Sequence, residues 1–85
     1  MVTSIHEPIS VLTLYHHATH TVIPKKLQWK ERTYHINKLG HHHTVKKGEK
    51  LIHIFSVCNE TLAFRIAFDT QTLEWMLEEI EDGIG

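Results

Sequence analysis

Across residues 62–68 the chain alternates without a break: Leu62, Phe64, Ile66 and Phe68 take one side, and Ala63, Arg65 and Ala67 the other. Side chains with period two share one face of an extended strand and scatter around a helix, so this segment reads as a strand. The segment before it tightens the constraint. Over residues 51–58, Leu51, Phe55 and Val57 fall on one side, with Ile52 and Ile54 on the other. Apolar residues on both sides describe a central strand covered on both faces. Asn59-Glu60 between the two segments supplies a tight turn. A hairpin alone is marginal in water, so further strands or a helix must join it.

Those further elements are partly readable. Residues 9–15 are rich in β-branched and aromatic side chains and read as a first strand. Residues 16–24 are polar and end in Pro24, which predicts a loop or an irregular edge. Leu27 and Trp29 alternate, then Tyr34 and Ile36, about Lys30-Glu31-Arg32, which predicts a hairpin. Gly40 and Gly48 bracket the run His41-His42-His43-Thr44-Val45-Lys46-Lys47, which reads as a mobile basic loop. The last segment fits two periods. Leu73, Met76, Leu77 and Ile80 have helical spacing, whereas Leu73, Trp75 and Leu77 have strand spacing.

The expected fold is therefore mostly β: a small antiparallel, partly open barrel or bent sheet of about five to six strands. The alternative is α+β with a C-terminal helix at residues 72–82. A length of 85 residues fits a single domain spanning 1–85, with flexible ends at 1–7 and 83–85. Cys58 is the one cysteine, so neither an intrachain disulfide nor a Cys-rich zinc site is expected. The first residues lack Lys and Arg, and no apolar run approaches the ~18 residues of a membrane span. A reducing, cytoplasmic location with no membrane partner is the expectation.

The formal net charge of −1 conceals a division. Residues 1–24 carry −1, residues 25–50 carry +6 and residues 51–85 carry −6, with histidine neutral. Asymmetry on this scale is an argument about partners and association, not about fold.

The run Lys26-Leu27-Gln28-Trp29-Lys30-Glu31-Arg32-Thr33-Tyr34-His35-Ile36 resembles the W-x-G-R-x-Y-x-V hairpin of an uncharacterised bacterial family of small β domains. The resemblance continues through residues 53–57, 64–69 and 75–77. It implies a strand, not a helix, for the Trp75 segment. Glu31 stands where that family has glycine, and three histidines occupy a loop where relatives carry tryptophan. No established activity comes with the resemblance, only a loose association of relatives with DNA repair genes.

Nine histidines are the strongest compositional anomaly, with clusters at His16, His17 and His20 and at His41, His42 and His43. Imidazole is the commonest metal ligand near neutral pH. In an extended segment His41 and His43 share a side, which makes them the better candidate ligand pair. No carboxylate or cysteine pattern completes a structural zinc site, so no cofactor is expected beyond an adventitious divalent metal. His53 reads as a core or rim histidine and Cys58 as a small buried hydrophobe. Nucleophile elbow, P-loop and HExxH motifs are absent from the sequence, and an enzyme is not expected.

What remains is the basic middle. Lys25, Lys26, Lys30, Arg32 and Lys38 interleave with Trp29 and Tyr34, and Lys46 and Lys47 follow. Cations with aromatic faces suit single-stranded nucleic acid, although Trp29 and Tyr34 are also placed to fill the core. The first expectation is thus a non-catalytic binding module for single-stranded nucleic acid, through these seven cations. The competing expectations are a protein-interaction or self-association module pairing basic and acidic segments, with a protein partner or a homo-oligomer, and a His-cluster metal binder.

Overall fold

A computed structural model describes residues 1–82. Among the described residues every regular element is a strand: β1 (Val2–His16), β2 (Thr21–Trp29), β3 (Arg32–His35), β4 (Lys38–Lys47), β5 (Lys50–Cys58), β6 (Leu62–Asp69) and β7 (Glu74–Asp82). They form one antiparallel sheet in the order β3-β2-β1-β7-β6-β5-β4. The expected β class is correct, and seven strands replace the five to six expected. The sheet is not closed, since β3 and β4 are its two ends.

The hairpin read from alternation over 51–68 is present in register, with Phe55 opposite Ile66 and Val57 opposite Phe64. Asn59 builds the turn by accepting from the backbone N–H of Thr61 at 2.9 Å and of Leu62 at 2.8 Å. At the other end of β6, Asp69 accepts from the Gln71 and Thr72 amides. Those donors, with Lys50 beside them, hold the Asp69 carboxyl below its ordinary value.

Two sequence expectations are corrected. The helix alternative over 72–82 fails because β7 ladders with both β1 and β6, burying Leu77 completely. Cross-strand pairing on two edges outweighs local helix propensity there. The basic loop between Gly40 and Gly48 is instead β4, paired residue for residue with β5 and shifted once between Leu39 and His41. A polar strand is tolerated at a sheet edge, where one side of the backbone faces water. Residues 2–7 of the segment expected as a flexible end lie in β1, whose ladder with β7 begins at Val2. The expected flexible end at 83–85 lies outside the described residues.

The Trp29–Arg32 hairpin closes through Lys30 and Glu31 alone, with φ of 51° and 65°. Two consecutive positive φ values are those of a type I′ turn, which matches the twist of the flanking strands. Neither residue is glycine, so the turn carries backbone strain that the strand pairing sustains.

The sheet rolls so that one face becomes the core. Leu27, Ile36, Phe55, Val57, Phe64, Ile66 and Leu77 form a single buried cluster drawn from across the sheet. The sheet's end strands β3 and β4 are joined by Ile36-Asn37 alone: the Ile36 amide donates to the Lys25 carbonyl of β2 and the Asn37 amide to the Cys58 carbonyl of β5, both at 2.9 Å. The Tyr34 ring on β3 meets Phe64 on β6 edge to face, with centroids 5.4 Å apart. Trp29 and Tyr34 are both partly buried against the cluster. Trp29 also donates its indole N–H to Glu7 at 2.8 Å.

Candidate ligand-binding cavity

β4 runs extended through the histidine run, so its side chains alternate between faces. His42 lies opposite Phe55 and turns to the concave, core side, while His41 and His43 turn to the convex side. On the convex side the His41 and His43 rings are 5.0 Å apart, as their expected common side requires. The His43 Nδ1 is buried without a partner. No group of three or more His, Cys, Asp or Glu gathers in metal-binding geometry among the described residues.

On the concave side a different pair forms. His42 Nε2 and His53 Nδ1 are 2.8 Å apart, and the two rings stack with centroids at 5.1 Å. His42 also lies flat on Phe55, with centroids 4.2 Å apart and planes within 10°. In the neutral pair, one of the two facing nitrogens donates and the other accepts. Whichever tautomer holds, the remaining two nitrogens offer one donor and one acceptor.

These rings line one side of a cavity of about 370 Å³ at the end of the rolled sheet. Phe68 and Trp75 continue the aromatic wall, their centroids 4.7 Å apart. The β1–β2 hairpin adds Thr13, His20, Thr21 and Val22 to the lining. Aromatic walls with a few convergent polar groups are the common form of small-ligand sites. Sequence reading set His42 and His53 apart, one in a loop and one as a core or rim residue. The available signal was the ladder itself: once the run is a strand, His42 must face Phe55.

Partial desolvation lowers the His42 pKa, and the neighbouring His53, His43 and His41 lower it further by repulsion. The unfolded chain then binds this proton more readily than the folded one, so stability falls with pH. The loss begins near the ordinary value of 6.5 and continues down to the lowered folded value. Unfolding midpoints in urea should drop as pH falls from neutral toward 5. His42→Gln should flatten that dependence, and an unchanged slope in the variant would contradict it.

The seven candidate cations do not converge. Lys38 and Lys47 stand at opposite ends of β4, ~30 Å apart at ~3.3 Å per residue. Lys30 approaches Glu7 at 3.9 Å and its ammonium lies 5.0 Å from the Trp29 ring centre. Arg32 pairs with Trp29 across the same hairpin, and Lys26 sits on the outer side with Ser10, Leu12, Gln28 and Thr33. Lys25 is exposed at the bulge opposite Leu12 and Thr13. Lys47 shares a convex depression with Asp69, Glu74 and Glu78, and Lys50 reaches Asp69 at 3.4 Å. Basic and acidic segments thus meet within one sheet there. Lys46 alternates with Thr44 and His42, and so is the cation on the cavity's own face of β4.

No protein-family model, curated protein or solved structure matches this chain. Its chemistry has to be read from its own residues.

Proposed function

We propose that this protein is a non-catalytic binding module that takes a flat ring into the concave cavity, and that the ring is an unstacked base of a single-stranded nucleic acid. The observation that carries the reading is the aromatic and imidazole wall formed by Phe55, Phe68, Trp75 and the His42–His53 pair. Bases stack on such walls regardless of sequence, each worth ~1–3 kcal/mol. Donor and acceptor nitrogens on the imidazole pair suit a base edge, and Lys46 offers a cation for the adjoining phosphate. The scattered cations narrow the electrostatics: one or two phosphates are engaged, not one for every Lys and Arg of the basic segment.

Titration of a Trp29→Phe variant, which leaves Trp75 as the reporting indole, tests the reading. Short single-stranded DNA and RNA should quench it saturably, and a free nucleoside should compete. The log–log dependence of affinity on salt should have a slope of roughly −0.7 to −1.4, the value for one or two phosphates. A slope near −4 would instead assign the interface to the whole basic segment. Absence of saturable quenching at low salt would end the proposal.

A further inference from the structure

β1 is longer than the strand that covers it. Its ladder with β7 ends at Ile9 opposite Trp75, whereas its ladder with β2 runs on to His16 opposite Thr21. Among the described residues, no strand pairs with the outer edge of residues 10–16. Sheets guard such edges with charge, proline, or shortness. The other two edges are guarded: β3 has four residues including Arg32, and β4 carries Lys38, Lys46 and Lys47. This one reads Ser-Val-Leu-Thr-Leu-Tyr-His, with neither Lys, Arg, Asp, Glu nor Pro. Leu12, Leu14 and Tyr15 are 55%, 42% and 59% exposed along it. Leu73, 69% exposed and held at a φ of 62°, precedes β7 at the foot of the same edge.

We propose that this edge is a dimer interface, in which residues 10–16 pair antiparallel with the same residues of a second copy about a two-fold axis at Thr13. Self-pairing is argued from the sequence of the edge. Centred on Thr13, the register sets Leu12 against Leu14 and Val11 against Tyr15, with Ser10 against His16 at the margins. Every large apolar residue then meets another, and no like charges oppose. A two-fold contact of this kind is closed, and joins two seven-stranded sheets across a common edge. Pairing with β4 of another copy would be head-to-tail and open-ended, and β4's lysines and histidines oppose no acidic residue on this edge. The inference goes beyond the ring-binding reading and stands without it.

Sedimentation of the full chain over a wide concentration range should show reversible doubling of mass. Leu12→Lys with Leu14→Lys places two cations from each copy in the interface and should weaken the dimer at least ten-fold. Lys46→Ala on the β4 edge should leave it unchanged. Cross-linking keeps the test independent of the charged variant's folding. In a Cys58→Ser background, Thr13→Cys should form a disulfide-linked dimer on mild oxidation, because opposing antiparallel Cα atoms lie ~4.5–5.5 Å apart, within disulfide reach. Leu51→Cys should not. A monomer at every concentration, growth beyond the dimer, or equal cross-linking at both positions would overturn the proposal.

Discussion

Replacing Leu77 by alanine is expected to cost about 2–5 kcal/mol, the usual range for emptying a fully buried leucine site. Leu77 has no exposed surface and belongs to the single core cluster. It sits on β7, which ladders with β1 on one side and β6 on the other. A chain of this length has of the order of 4–13 kcal/mol of stability, so the substitution removes a large share. Urea denaturation should show a lower midpoint with a similar slope. Leu73→Ala, at an exposed turn position, is the matched comparison and should shift the midpoint little. Equal effects at the two positions would mean that β7 is not a central strand of the sheet.

The second large effect concerns the cavity. Trp75 packs against Phe55 and Phe68 with centroid distances of 5.5 and 4.7 Å, and forms part of the aromatic wall. If bases stack there, Trp75→Leu should weaken binding of single-stranded oligonucleotides about ten-fold or more, the equivalent of at least ~1.4 kcal/mol of lost stacking. Trp75→Phe keeps an aromatic face and should retain most of the affinity. Calorimetric titration reads both without relying on the indole signal. Comparable losses in the two variants would point to altered packing, and no loss in either would remove Trp75 from the site.

How much of this was legible beforehand differs by element. Residues 51–68 announced their strands because both faces of β5 and one face of β6 are apolar, and burial leaves a period in the sequence. The Trp29–Arg32 hairpin was legible from alternation on each side, although its turn lacks the usual Asn-Gly or Gly chemistry. β4 was hidden. Its residues are mostly His, Lys and Gly, and an edge strand needs little apolar content when its partner supplies the buried face. β7 was ambiguous for a different reason: Leu73, Met76, Leu77 and Ile80 satisfy a helical period as readily as Leu73, Trp75 and Leu77 satisfy a strand. Pairing on both edges resolved it.

The site depended on the same step. Three adjacent histidines in a loop have no assigned direction, whereas in a strand they are divided between two faces. That division leaves His41 and His43 together on the convex side and brings His42 to His53. The basic segment was divided likewise, since a run of charges along a chain says nothing of which strand ends it will occupy.

By itself, then, the sequence determined a mostly antiparallel β structure, open to a helix only over residues 72–82, with a core drawn from Phe55, Val57, Phe64 and Ile66. It did so because side-chain burial imposes a period of two on every half-covered strand. Only the tertiary structure decided which histidines meet, which cations find acids and which edge stays open. Those outcomes depend on contacts between residues distant in the chain, such as His42 with His53 and Lys30 with Glu7, and a rolled sheet sets them through its strand order and register. Local pattern carries no record of that order.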